Sequence, residues 1–450
     1  MSVILGVNCL SHDAAVALVK DEEVLFAAHS ERYTRRKNDQ LLCEALLEDA
    51  LTYGPAPEEI VYYERPLAKK ARQLAAGQYR EAMTSSPRSY LQSFARLRGL
   101  EVRYVDHHLS HAAGGYFTSG FRDATIVVID AIGEWSTLTV WDARDRRLSK
   151  IFELTYPDSV GLFYSAFTQR VGFKPNEEEY IMMGMAALGE PEYADLIRED
   201  FLREAAPPQF ILKRSMHRGI QDWRPELKRV ENIAASAQKV LEDYLKDLFQ
   251  WVARKCSSRN LVYSGGVALN CVANEQLARQ GLFDNIWIMP NPGDAGSSLG
   301  AALAHRNEWI EWRCPYLGHD IRRPLDQQAA LDALMGGEII GVANGRAEFG
   351  PRALGNRSLL ADPRPADMKD KVNEVKRREP FRPFAPLILE EHAHTYFDLP
   401  VKASPYMQFT ARCKQPERYP AICHVDGSSR VQTVSRTQHP LLYGLVERFH

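Results

Sequence analysis

The segment His107-His108-Leu109-Ser110-His111 places two imidazoles four residues apart. On a helix, His107 and His111 project from one face while His108 points elsewhere, a geometry suited to two ligands on a single ion. Alone, such a pair is equally consistent with satisfied core or surface histidines. Two carboxylates extend it: Asp130 ends an apolar strand pattern, and Asp294 lies in Gly293-Asp294-Ala295-Gly296 just before a helix. Both are places where chain ends converge on a cleft. Two imidazoles with two carboxylates suit iron(II), manganese or zinc, and the spacing does not choose among them.

A second group of candidates lies in glycine-containing turns at Gly6–Asp13, Asp130–Glu134, Ser264–Asn270 and Gly293–Ser298. Backbone N–H groups there can approach a phosphate that a side chain would block, which makes Gly133, Gly265, Gly266, Asn270 and Gly293 candidate nucleotide contacts. Turn chemistry alone accounts for any one of them. The third group is the glycine- and arginine-rich loop Gly345–Arg357, followed by Lys376-Arg377-Arg378-Glu379-Pro380-Phe381-Arg382-Pro383-Phe384. A charge run by itself is usually a solvated face. Arginines fixed between proline, glycine and phenylalanine can instead present planar forks to phosphate oxygens.

The elements needed to position these groups are legible in part. Val3–Val7, Ala14–Lys20 and Val24–Ala28 read as an antiparallel meander, and Ala124–Trp141 repeats the device. Glu231–Lys255 has the stripe of a long amphipathic helix. Asn260–Tyr263 then reads as a strand breaking at Ser264-Gly265-Gly266 into a helix through Asn270–Arg279, an order suited to meeting a phosphate. A short strand, Ile286–Met289, and a helix, Ser297–His305, follow. Residues 39–52 and 66–98 have the spacing of solvated surface helices, and Arg203–Arg229 reads as an insertion or mobile loop outside the core. Proline, glycine and charge at Trp312–Pro324 mark a domain boundary, after which Glu338–Ala343 opens a new α/β unit.

Length and composition bound the functions. A chain of 450 residues is long for a single core. Its 56 Lys and Arg nearly cancel 58 Asp and Glu, so non-specific binding to nucleic acid is disfavoured. Seven scattered cysteines without a CxxC pair are expected of reduced thiols in a cytoplasmic protein. No segment has the roughly 18–20 apolar residues of a membrane span, and no leader pattern opens the chain.

Taken together, SHDAA (11–15), DHHLSHAA (106–113), VVIDAIGEW (127–135), SGGVALNC (264–271), PGDAGSSLGAAL (292–303), GRAEFGPRALGNRSLLADPR (345–364) and REPFRPFAP (378–386) resemble the O-carbamoyltransferases of antibiotic and nodulation-factor pathways. The resemblance covers nearly the whole chain. It implies an α/β protein: a duplicated actin-like (ribonuclease-H-like) ATPase domain at 1–318, then a threonylcarbamoyl-adenylate-synthase-like α/β domain at 319–450. It also implies a further strand and loop with an Asn-Thr-Ser-Phe-Asn motif beyond position 450, completing the adenylate pocket. The implied chemistry is ATP- and carbamoyl-phosphate-dependent. The second domain would form carbamoyl-adenylate with magnesium, and the first would pass the carbamoyl group to a hydroxyl of a small molecule, sugar, antibiotic or hydroxymethyl nucleoside. By position, His107, His111, Asp130 and Asp294 match the family's metal ligands, normally iron. Arg352, Lys376, Arg378, Arg382 and Arg430 match its basic pocket, and His12 is the candidate acceptor-side base. A non-catalytic nucleotide-binding partner and a tRNA threonylcarbamoyl transferase are the alternatives, and a homodimer is compatible with the sequence.

Overall fold

The computed structural model describes residues 2–83, 86–323 and 325–450. Its first sheet contains β1 (Val3–Asn8), β2 (Ala15–Lys20), β3 (Glu23–His29), β4 (Glu59–Tyr62) and β5 (Glu101–Tyr104), in the order β3-β2-β1-β4-β5. The β1–β2 and β2–β3 pairs are antiparallel, and β1–β4 and β4–β5 are parallel. The second sheet repeats that plan with β6 (Asp123–Ile129), β7 (Ser136–Arg144), β8 (Arg147–Thr155) and the strands Asn260–Ser264 and Asn285–Trp287. There, β6–β7 and β7–β8 are antiparallel, while Asn260–Ser264 lies parallel to both β6 and Asn285–Trp287. Two sheets with one strand order and one pattern of directions are a duplicated ribonuclease-H-like, or actin-like, fold. The meander read from short apolar runs separated by turns is therefore the antiparallel half of each copy.

Between the sheets cross two helices, His107–Ser119 and Ser297–Arg306. Small residues set their distance. A Cβ on Gly300 would fall on the Ser110 carbonyl oxygen, and one on Gly6 would fall on the carbonyl oxygen of Ser298. Gly115 likewise lies against Val262 and Ser264 of the second sheet. This tight crossing brings the first turn of one helix beside the loop preceding the other.

Several elements depart from the pattern reading. Residues 39–52 contain only the short helix Glu44–Ala50. Within 66–98, the described residues form Pro66–Ala75, Tyr79–Ala82, Pro87–Ser93 and a 3-10 turn, and Arg72 is buried rather than solvated. Residues 84–85 fall outside the description, as does Pro324 at the end of the expected boundary segment. Arg203–Arg229 is not excluded from the core. Phe210, Met216, Ile220 and Trp223 are buried in the second core, and Leu202–Glu204 pairs with Ile211–Leu212. The polar and proline-rich composition hid these widely spaced anchors.

The C-terminal region is a mixed α/β unit of small sheets. Tyr316–Ile321 pairs with Gly345–Glu348, and Ile340–Ala343 with Arg357–Leu360. The expected loop Gly345–Arg357 is thus strand at its start, with only its middle irregular, because antiparallel partners satisfy its backbone. The proposed 318/319 cut falls inside the strand Tyr316–Ile321.

Candidate active site

His107 and His111 stand at the start of the helix His107–Ser119, as their spacing predicts, and Asp130 follows the last residue of β6. Asp294 opens a 3-10 turn that leads into Ser297–Arg306. All four side chains are buried, and one ligand atom from each lies within 4.8 Å of the others. His107 Nε2 is 3.0 Å from His111 Nε2, 3.2 Å from Asp130 Oδ2 and 3.5 Å from Asp294 Oδ1. His111 Nε2 is 3.4 Å from Asp294 Oδ1. His108 turns away, its Nδ1 lying 2.9 Å from Thr139 Oγ1.

Burial opposes protonation of His107, but Asp294 and Asp130 outweigh it and hold its pKa well above the ordinary imidazole value. His111 is also raised against burial by Asp130 and Asp294. Burial would raise the Asp130 pKa, yet its contacts with the two imidazoles hold it well below the usual carboxylate range. His108 moves the other way, lowered by burial and by the neighbouring histidines. This donor set fits a divalent transition metal. Two nitrogens and two carboxylate oxygens converge, and Asp294 Oδ1 is buried without a hydrogen-bond partner among the described residues.

His12 adjoins the cluster. Its Nε2 is 3.4 Å from Asp294 Oδ2 and its Nδ1 is 3.2 Å from Asp13 Oδ2. Burial opposes its protonation, but Asp294 and then Asp13 outweigh this, so its pKa is raised to about 10.

The glycine turns have distinct local roles. The Gly266 N–H donates to Asp130 Oδ1 at 2.9 Å, so the strand-end turn orients that carboxylate. Gly265 has φ +90°, and a Cβ there would strike Ile129, a conformation and an approach that both require glycine. Its N–H donates to the Pro292 carbonyl at 2.9 Å, tying this turn to the Asp294 loop. Gly133 lies flat against His107, and Gly293 lines the cavity. Asn270 also lines it, but its side chain pairs with Gln238 and caps the helix Cys271–Arg279 by accepting from the Ala273 N–H.

The basic group gathers in the C-terminal unit. Lys376 ends the helix Met368–Lys376, Arg430 ends the strand Ser428–Arg430, and Arg378 and Arg382 occupy the following loop. Arg378 lies over the Phe384 ring at 5.1 Å, and Arg382 over the Tyr180 ring at 4.9 Å. Arg382 meets Glu379 at 3.2 Å, whereas no carboxylate among the described residues pairs with Lys376, Arg378, Arg430 or Arg352. Burial, then Arg378, Arg382 and Arg430, lower the Lys376 pKa. Arg378 is pushed down to about 10 by burial and then by Arg382 and Arg430. Arg352 donates to the Leu269 carbonyl at 2.9 Å and the Tyr406 carbonyl at 3.2 Å, bracing one unit against the other.

A single cavity of about 1090 Å³ is lined by His12, Asp130, Gly266 and Asp294 on one side. Arg352, Lys376, Arg378, Arg382 and Arg430 line the same cavity on the other. The carbamoyltransferase N-terminus model matches residues 58–303, and the carbamoyltransferase C-terminus model matches residues 331–450. The chain belongs to the carbamoyltransferase family. It is therefore an enzyme, and residues of both matched segments line the one cavity. An uncharacterised Synechocystis protein, sll1178, is 35% identical to this carbamoyltransferase, over 100% of the chain and 89% of the relative. Nodulation protein NolNO of Sinorhizobium fredii is 32% identical over 98% of this chain and 72% of its own. The 3'-hydroxymethylcephem-O-carbamoyltransferase of Streptomyces clavuligerus is 29% identical, covering 97% and 88% respectively.

No helix among the described residues is long and apolar enough to cross a membrane. The seven cysteines are all free thiols in the structure.

Proposed function

We propose that this carbamoyltransferase makes carbamoyl-adenylate at the cationic side of the cavity and transfers its carbamoyl group to a hydroxyl at the His107–Asp294 side. The observation that carries the reading is the shared cavity: His12 and the two carboxylates Asp130 and Asp294 line one space with Lys376, Arg378, Arg382 and Arg430, so an intermediate formed beside Lys376 has a path to His12. In the first step, water cleaves carbamoyl phosphate to carbamate and inorganic phosphate. A carbamate oxygen then attacks the α-phosphorus of ATP, and the bond to pyrophosphate breaks. Both co-substrates are strongly anionic, so several fixed cations, together with magnesium, are needed to hold them together. Lys376, Arg378, Arg382 and Arg430 supply fixed positive charge with little internal compensation, and Arg352 holds the two sides of the cavity in register.

In the second step the acceptor oxygen bonds to the carbamoyl carbon, AMP leaves, and a base takes the hydroxyl proton. A divalent ion held by His107, His111, Asp130 and Asp294, with iron(II) the expected ion, would supply Lewis acidity for polarising a carbonyl or binding phosphate oxygen. His12 is the group placed to orient the hydroxyl. Asp294 and then Asp13 hold His12 protonated, and positive charge that offsets the Asp294 carboxylate lowers the His12 pKa toward the form that can accept a proton. The acceptor class is a small molecule bearing a hydroxyl. The relative named for a 3'-hydroxymethylcephem makes a hydroxymethyl group on an antibiotic scaffold the acceptor to screen first, with sugar hydroxyls next.

The test is mass spectrometry of the purified chain incubated with ATP, magnesium and carbamoyl phosphate without acceptor. The expected products are carbamoyl-adenylate and pyrophosphate, both dependent on carbamoyl phosphate. Absence of both from folded, metal-loaded protein would overturn the adenylate-forming step for this chain.

A further inference from the structure

We infer that Glu134 is the positioning residue that fixes His107 in the metal-ligand cluster. The inference rests on reading His107, His111, Asp130 and Asp294 as a metal centre, and it concerns a residue that supplies none of the four ligand atoms.

The two histidines are held differently. His111 has its second ring nitrogen engaged: Nδ1 lies 3.1 Å from the Pro292 carbonyl oxygen and 3.2 Å from Ser297 Oγ. Such a contact sets tautomer and ring direction, as it does for most histidines on a metal. His107 lacks it; its Nδ1 is buried and has no hydrogen-bond partner among the described residues. Apart from the Nε2 that faces the cluster, its ring direction is set by its backbone and by packing.

Glu134 controls the backbone. Its buried carboxylate accepts from the His107 N–H, at 3.1 Å to Oε1 and 3.2 Å to Oε2, and from the Arg65 N–H at 2.7 Å. His107 is the first residue of its helix, so that N–H has no carbonyl within the helix to bond. One carboxylate therefore ties together the segment after β4, the helix bearing both imidazoles, and the turn that begins at Asp130. The turn is closed by Asp130 N–H to the Thr137 carbonyl at 3.0 Å and Gly133 N–H to the Ser136 carbonyl at 2.9 Å. It also supplies the packing, because a Cβ on Gly133 would come to 3.0 Å from His107 Cβ and Cγ. The Tyr63 ring lies 5.1 Å from the imidazole. Below the turn, the buried Arg72 donates through Nε to the Glu134 carbonyl at 3.1 Å and through Nη1 to Gln78 Oε1 at 2.6 Å. A displacement of Glu134 thus moves His107 relative to Asp130.

Cobalt(II) is the probe, because its visible spectrum reports ligand geometry and titration gives affinity without turnover. Wild type is expected to bind one ion per chain, and His107→Ala to lose that binding. Glu134→Ala should shift the visible bands and weaken cobalt(II) affinity by about 10–100-fold, the range for loss of a supporting partner. Glu134→Gln keeps one oxygen for an N–H but turns an amide N–H₂ toward the other, so its effect should be smaller and in the same direction. A purely structural role would lower the melting temperature of the metal-free variants while leaving affinity and spectrum unchanged. That result in either folded variant would overturn the inference. If Glu134→Ala does not fold, Glu134→Gln carries the test alone by the same criterion. Failure of the wild type to bind cobalt(II) would instead overturn the metal reading, and with it this inference.

Discussion

At the scale of single residues, the His107, His111, Asp130 and Asp294 group was legible because helical spacing and strand-end position are sequence properties. The support around it was not. Glu134 stood in plain view at the end of the turn Asp130–Glu134, but its contact with the His107 N–H spans 27 residues and carries no local pattern. Arg352 likewise read only as a cation, and its two carbonyl partners lie 54 and 83 residues away in sequence. His108 provides a contrast to its neighbours. Lowered by burial and by two histidines, it is neutral at ordinary pH and contributes to the core through Thr139. His108→Gln should therefore leave about one divalent ion bound per chain, whereas His111→Ala should leave none after desalting. Elemental analysis of the purified variants checks both outcomes, and equal metal content in the two would contradict the assignment of ligands.

At the scale of elements, the strand meanders were readable from short apolar runs bounded by turns, and the long helix from its 3.6-residue pattern. Val230–Lys255 runs within one residue of the Glu231–Lys255 expectation. The crossing of His107–Ser119 with Ser297–Arg306 was not readable, since glycine in a helix signals nothing about its partner. It is nevertheless what brings the histidines to Asp294. Gly300→Ala would drive a methyl group into the Ser110 carbonyl oxygen, so the helices must separate. The expected cost is about 1–3 kcal/mol of stability, read by denaturant unfolding. It should be accompanied by weaker divalent-metal binding, because the same shift moves ligands on both helices. Loss of stability with unchanged metal affinity would show that the ligand cluster does not depend on this crossing.

At the scale of the whole molecule, the duplicated sheets and the C-terminal unit enclose a cavity on whose basic side Lys376, Arg378 and Arg430 have no carboxylate partner among the described residues. Like charges facing one another destabilise the empty pocket, and an anion that binds there relieves the repulsion. Inorganic pyrophosphate should therefore raise the melting temperature of wild type. A concentration of about 100 times its dissociation constant corresponds to roughly 2.7 kcal/mol. The gain should shrink when Lys376 is replaced by Met, and an identical gain in that variant would remove Lys376 from the pocket. The duplicated fold class followed from the sequence motifs. The joining of its two chemical groups in one space did not, because it depends on packing between units with no repeated pattern at their contact.

The central claim, two successive reactions at two sides of one cavity, is tested most directly by comparing Asp294→Ala with Arg382→Ala in the presence of ATP, magnesium and carbamoyl phosphate. With pyrophosphate and carbamoyl-adenylate followed together by mass spectrometry, Asp294→Ala should still form both and accumulate the adenylate even when an acceptor is present. Arg382→Ala should form little of either. Equal and severe loss of adenylate formation in both folded variants, or normal formation in Arg382→Ala, would contradict the division of labour.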